Sequence, residues 1–335
     1  MLVSGRIWSG LKREPLVAVL FVAALVFAVI AWATHETFYL RLATEGVILA
    51  GLALSVDLLL GYTGLFSLGQ ALYFGLGAYV TALLLLHDPG WGFWGALICS
   101  LLASSLVALI VGAVVIRSRG VYFILITFGL AQVVATSVYN IRRLGGSDGL
   151  TGIPVLKVNF LLFHVDLGNP VSFFLFAVAV IGILYALLSY LIHTPLGHVL
   201  VAIRSNDQRV RFLGYDSWRY KLVSYVVAAD VAAVAGTLYP LLRGFVSPEL
   251  MYFGVSADAV IMTIIGGVGT LIGPIYGSLI LIALKTFISG WTQHHGLVVG
   301  AVFIATVIFL PAGLVGFLRT RSPRTAVKAA GGAHE

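Results

Sequence analysis

The chain has 335 residues, 60% hydrophobic and 10% charged, with 20 Lys and Arg against 13 Asp and Glu. A soluble domain carries roughly 45–50% apolar and about 25% charged residues, and a single core cannot hide this much apolar surface. A mean hydropathy of +1.05 thus excludes a soluble enzyme, a disordered chain and a disulfide scaffold, leaving an all-α, polytopic membrane protein.

In such a chain the positive excess orients the loops and is no sign of nucleic-acid binding. Cys99 is the one cysteine, so no internal disulfide or cysteine metal cluster can form, and it reads as a packing residue.

A helix needs about 20 apolar residues to cross a bilayer. Ten spans are predicted, over 16–34, 42–60, 71–86, 92–116, 121–140, 171–192, 222–242, 255–272, 273–290 and 296–318. The runs are continuous, whereas transmembrane strands alternate. The first span follows Lys12 and Arg13, and Ala31-Trp32-Ala33 has the form of a signal-peptide cleavage site. Its apolar run exceeds the about 7–15 residues of a secretory signal, which favours a retained helix.

The basic residues set the orientation. With both termini inside, the inner segments are the N-tail (1–14), 117–120, 193–221 and the C-tail (319–335). They hold Arg6, Lys12, Arg13, Arg117, Arg119, Arg204, Arg209, Arg211, Arg219, Lys221, Arg319, Arg321, Arg324 and Lys328. Outer segments hold Arg41, Arg142, Arg143, Lys157 and Arg243, and Lys285 falls inside a span. This is a positive-inside pattern. The outer segment 141–170 contains the turn-rich run Gly145-Gly146-Ser147-Asp148-Gly149.

The first stretch with functional content is 57–79. Asp57 precedes Gly61, Tyr62, Thr63, Gly64, Ser67, Gly69 and Gln70. Each glycine weakens a helix by about 1 kcal/mol. Broken helix inside a membrane is tolerated where protein or a watery cavity surrounds it, and transporters use such breaks to expose backbone to a substrate. These residues are therefore candidates for a mid-membrane substrate path. The other reading is close helix packing through small residues.

A second break covers Gly266, Gly267, Gly269 and Gly273, followed by Pro274. It repeats the glycine spacing of the first about 200 residues earlier, as an internal repeat with a path between its halves would.

The inner segment 193–221 carries a short helix. Asp207 suits an N-cap and Gly214 a C′ position. Val210, Phe212 and Leu213 give it apolar tips, and Arg204, Arg209 and Arg211 a basic rim, with Asn206 at its start. This fits a docking element for a cytoplasmic partner, or a helix lying on anionic lipid.

Glu45, Asp57, Asp230, Asp258 and Lys285 are charges within spans and so are functional candidates. Glu45 and Asp258 lie near span ends, where water can solvate them. Asp57 could pair with Lys285 or with backbone amides at the breaks, and Asp230 sits among alanines. No glycine is followed by lysine, so the sequence holds no Walker A loop. His35-Glu36 has Tyr39 where a zinc-binding helix needs a second histidine, and His294-His295 is an isolated pair. No Ser/His/Asp spacing marks a nucleophile, so a stand-alone enzyme is not expected.

Several words occur together in order over about 45–315: Leu60-Gly-Tyr-Thr-Gly64 with Ser67-Leu-Gly69, Gly120-Val-Tyr-Phe123, Gly146-Ser-Asp-Gly-Leu-Thr-Gly-Ile-Pro154 and Ala202-Ile-Arg204-Ser-Asn206. They continue with Leu213-Gly214, Tyr220-Lys221, Gly244-Phe-Val-Ser-Pro248, Gly266-Gly267-Val-Gly269 with Gly273-Pro274, and Leu310-Pro311-Ala-Gly-Leu314. This set resembles the LivM-type inner-membrane permease of branched-chain amino acid ABC importers.

The resemblance implies a second permease subunit, two cytoplasmic ATPases that bind ATP in place of this chain, and a periplasmic solute-binding protein. It also implies that 204–214 is the loop that couples the permease to the ATPases. Two positions depart from the pattern. Asp57 stands where the family usually has Asn, and Asp230 where a small or apolar residue is usual. The related urea and short-chain amide permeases often carry Asp at the first position, and related systems import aromatic acids; branched-chain amino acids are the main expected solute, with urea, amides or aromatic acids as alternatives. The rival class is a channel or proton-linked carrier using Asp57 or Asp230 for protons.

Overall fold

The computed structural model describes residues 37–154, 156–159, 164–290, 295–310 and 313–320, together with Val19, Ala23, Ala24, Val26, Phe27 and Ala28. The expected N-tail, most of the first span and the C-tail beyond Thr320 lie outside the described residues.

The elements in chain order are α1 (Thr37–Asp57) with a π-helical extension (Leu58–Thr63), α2 (Gln70–His87), α3 (Gly92–Val115) and α4 (Val121–Asn140). Next come β1 (Leu150–Thr151), β2 (Lys157–Asn159), β3 (His164–Asp166), α5 (Pro170–Ile192), α6 (Pro195–Ser205), α7 (Asp207–Phe212) and α8 (Ser217–Arg243). The chain continues through β4 (Phe245–Val246), a 3-10 turn (Pro248–Met251), α9 (Phe253–Gly266), α10 (Ile272–Ser289), α11 (His295–Phe309) and α12 (Gly313–Thr320). Among the described residues eight helical stretches are long and apolar enough to cross a membrane. The protein is a polytopic helical bundle, and its strands are confined to two short antiparallel pairs, β1 with β4 and β2 with β3.

Small residues decide which helices meet. α8 lies against α2, α1 and α3 and is the centre of the bundle. Its alanine-rich stretch presents Ala233 and Gly236 to α2, with Gly77 against Ala233 and Gly236 against the Phe74 carbonyl. On its other side a Cβ added to Gly51 of α1 would fall 2.6 Å from that of Ala235. Such faces bring backbones close and gain dispersion contacts, which drive helix association where lipid removes the hydrophobic incentive. α3 and α4 lie at the rim, with Leu102, Leu106, Val114, Val121, Tyr122 and Leu125 exposed, as a face that meets lipid or another subunit must be.

One expected span is corrected. α9 has 14 residues, about 21 Å of helix, against a hydrocarbon core of about 30 Å. The predicted helix over 255–272 stops at Gly266 because Gly267 takes φ +120. The missing length comes from non-helical chain. After β4 pairs with β1, the 3-10 turn packs against α2 and α4, and Met251 meets Gly75. α9 follows and packs against α10. The two expected repeats also differ in pairing. α9 and α10 lie directly against each other, whereas α1 and α2 diverge around α8.

Candidate functional site: the joined helix breaks and the coupling segment

The two glycine breaks are 200 residues apart in sequence and in direct contact in space. At the first, the last turn of α1 widens into a π-helix over Leu58–Thr63 and ends at Gly64 in the left-handed region, φ +76. Single π turns inside membrane helices recur at functional sites. Thr63 hydrogen-bonds the Leu58 carbonyl at 3.1 Å and the Ser224 hydroxyl of α8 at 2.6 Å, which ties the widened turn to the bundle centre. The interruption therefore lies at the end of α1, where the predicted span over 42–60 also ended.

At the second break, Gly269 has φ +78 and Leu271 takes φ 55, ψ −48. The Ile272 N–H donates to the Thr270 carbonyl at 2.7 Å, closing a three-residue turn around Leu271. This is the strained hand of the γ-turn, and a non-glycine residue held there costs about 1–3 kcal/mol. The conformation persists because Asp57 holds it. The fully buried Asp57 carboxylate accepts from Gly269 N–H at 2.6 Å on Oδ1 and from Leu271 N–H at 3.0 Å on Oδ2. Such charge-assisted bonds are the strong ones. Tyr62 O–H donates to the Gly269 carbonyl at 2.9 Å and closes the joint from the other side. Of the two partners open to Asp57 in the sequence, the backbone amides are the ones found. Lys285 pairs with Asp258 instead.

The glycines have a steric reason here. A Cβ on Gly61 would lie 2.6 Å from Gly269 N, and one on Gly269 would lie 3.2 Å from the Gly61 carbonyl oxygen. Gly269→Leu or Gly64→Leu combines such a clash with a disfavoured φ. Both variants are expected to reach the membrane in normal amount and to carry no solute. Normal uptake in both would contradict a functional role for the joint.

Of the path residues expected from the sequence, Asp57, Gly61 and Tyr62 meet Gly269 in the joint, whereas Gly69 lies against Thr127 and Gly266 against Gly273. Gly61, Thr63, Ser67, Gly69, Gln70, Gly266, Gly267 and Gly273 are buried, Tyr62 and Gly269 are half-buried, and Gly64 is exposed beside α6. Between the π turn and α2 the backbone is held by hydroxyls. Ser67 accepts from Gly69 N–H, Thr127 from Leu68 N–H and Ser256 from Ala71 N–H. Gln70 is fully buried at the first position of α2, and its side-chain amide has no hydrogen-bond partner among the described residues.

α6 and α7 reach the joint from the expected coupling loop. Arg204, near the end of α6, donates to the Gly61 carbonyl, and its backbone passes the glycine face at Gly64, where a Cβ would lie 3.3 Å from Arg204 Cα. Asn206, and not Asp207 as expected, is the N-cap of α7, accepting from Arg209 N–H at 3.0 Å. Asp207 is the first helical residue, where its charge suits the helix dipole. It bridges Arg211 at 2.9 Å and Lys221 of α8 at 3.2 Å. Burial opposes its ionisation, but the neighbouring Ser217 hydroxyl, Lys221 and Arg211 outweigh that and hold its pKa below the usual carboxylate value.

Gly214 closes α7 with φ +87, as expected. Phe212 is 89% and Leu213 76% exposed, whereas Val210, expected as a third exposed tip, is 4% exposed and anchors α7 to the bundle. Arg209 is exposed on the same short helix.

The other charges in the spans also have partners. Ser105 of α3 donates to both Asp230 oxygens, at 2.8 and 2.9 Å, and Arg243 bridges Glu45 at 2.6 Å. The Tyr62, Arg204 and Ser105 contacts are not legible in sequence, because each joins segments more than 100 residues apart.

The chain matches, over residues 38–307, the family described as "Branched-chain amino acid transport system / permease component". The chain belongs to that permease family. Among its relatives is the "High-affinity branched-chain amino acid transport system permease protein LivM" of Salmonella typhimurium, 29% identical over 90% of this chain and 75% of the relative. The protein of the same name from Escherichia coli is equally similar over the same shares. The "Probable branched-chain amino acid transport permease protein LivM" of Methanocaldococcus jannaschii is 23% identical over 75% of this chain and 81% of its own length. No solved structure matches this permease at a significant level. Its multi-pass helical fold and its family agree on a transport protein of the membrane.

Proposed function

We propose that this permease is one of two membrane subunits of an ATP-driven importer that carries branched-chain amino acids across the inner membrane. Two cytoplasmic ATPases would bind the ATP and dock on α7. A periplasmic binding protein would deliver the solute to the opposite face, with both termini of the chain in the cytoplasm. The substrate reading rests on the printed functions of the relatives.

The observation that carries the coupling is the hydrogen bond from Arg204 to the Gly61 carbonyl. It gives a push on α7 a direct route into the joint of the two breaks. Allosteric coupling needs an element with two arrangements that both sites bias. The strained turn at Leu271, held by Asp57, is suited to that role. Phe212 and Leu213 are the apolar tips a docking groove would cover. The relatives' printed functions favour branched-chain amino acids over urea or amides, and Asp57 holds two backbone amides.

Gentle purification of the tagged chain from its native membrane tests the assembly. Two P-loop ATPases and a second permease are expected to come with it. A chain that comes out by itself and still carries solute without ATP would make it a channel or proton-linked carrier.

A further inference from the structure

A second polar feature lies beside α7, outside the joint. The turn between α3 and α4, the end of α7 and the start of α8 enclose a cavity of about 370 Å³. Arg117, Arg119, Arg211 and Lys221 line it, against a single acid, Asp216, that is already bridged to Arg219 at 2.9 Å. Arg211 and Lys221 share Asp207 behind them. Arg117 and Arg119 have no acidic partner among the described residues.

The cavity wall also holds an unpaired donor. The Trp218 indole Nε1 is buried with no hydrogen-bond partner among the described residues, whereas the neighbouring Ser217 hydroxyl serves Asp207. A buried donor without an acceptor costs about 1–3 kcal/mol. Such a donor beside two arginines without acidic partners makes this cavity suited to an anion.

The surroundings say what kind of anion. Val114, Val121 and Tyr122 flank the arginine turn and are 66%, 66% and 74% exposed. The cavity therefore sits where the apolar rim of α3 and α4 gives way to a basic surface. Basic pockets at that level bind lipid headgroups.

We propose that this cavity binds the phosphate of an anionic phospholipid, with Arg117, Arg119 and the Trp218 indole as its ligands and the acyl chains along the rim of α3 and α4. The bound lipid would brace α7 through Arg211 and Lys221, so the coupling helix would sense the membrane's charge. This inference stands apart from the substrate reading and does not need it.

Native mass spectrometry of the purified intact complex, released from bilayers of mixed phosphatidylglycerol and phosphatidylcholine, tests it. The wild type is expected to retain phosphatidylglycerol over phosphatidylcholine. Arg117→Gln with Arg119→Gln is expected to weaken that retention roughly tenfold or more, two surface charges being lost. Trp218→Phe, which keeps the ring and removes the donor, is expected to weaken it less. Arg142→Gln with Arg143→Gln, an arginine pair at the other end of α4, should leave it unchanged.

Equal retention in the wild type, the Arg117/Arg119 variant and Trp218→Phe would overturn the proposal. So would full displacement by millimolar inorganic phosphate, which would mark a site for the free ion. Loss of the ATPases from the Arg117/Arg119 variant with lipid retention intact would also overturn it, since the anion would then be an acidic side chain of a partner.

Discussion

Replacing Asp57 with Ala is expected to abolish uptake and to lower the thermal stability of the purified permease. Its carboxylate serves the N–H groups of half-buried Gly269 and buried Leu271. Leaving the buried Leu271 N–H unpaired costs about 1–3 kcal/mol. The Leu271 turn then loses the contact that fixes its own N–H and keeps only the weaker neutral bonds around Thr270. Asp57→Asn should fall between the two, since an amide oxygen can take one N–H while its own NH₂ faces the other. Melting temperature in detergent, measured with uptake, separates this account from a solute-binding role. A residue that touched only the solute would lose uptake at unchanged melting temperature.

The second large effect is expected at the tip of α7. Phe212→Asp with Leu213→Asp should detach the ATPases while leaving the permease folded, because both side chains are exposed and support nothing within the chain. Burying one such side chain is worth about 1.5–3 kcal/mol, so losing two weakens docking by more than about 100-fold. Val210 makes the contrast. It is buried, so Val210→Asp should unseat α7 itself and cost stability. Quantifying the ATPases that co-purify with each variant checks both expectations. An intact complex with the Phe212/Leu213 variant would mean that α7 is not the main dock.

Much of this was legible in the sequence, and the parts that were not have a common cause. Continuous apolar runs located the spans because lipid forces backbone bonds to close within a helix. Gly61, Gly64, Gly266 and Gly269 marked the breaks because helix interiors tolerate glycine poorly. Gly214 marked the end of α7 for a similar local reason.

What failed depended on partners distant in sequence. The span over 255–272 was too long because apolar composition does not report the positive φ of Gly267 that ends the helix at Gly266. Val210 looked like an exposed tip because a six-residue helix has too few turns for a pattern to define its buried side. The Asn206 cap was misplaced by one residue, as is usual where two capping residues adjoin. What the first break meets was not legible either, because Gly269 and Arg204 lie more than 100 residues further along the chain.

The central claim is that ATPase action reaches the joined breaks through Arg204. It is tested most directly by ATP hydrolysis and leucine uptake measured together in proteoliposomes holding the intact complex. The wild type should accumulate leucine only with ATP. The Arg204→Ala complex should keep its ATPases and hydrolyse ATP, yet accumulate little or none. Full ATP-driven uptake by the Arg204→Ala complex would contradict the account.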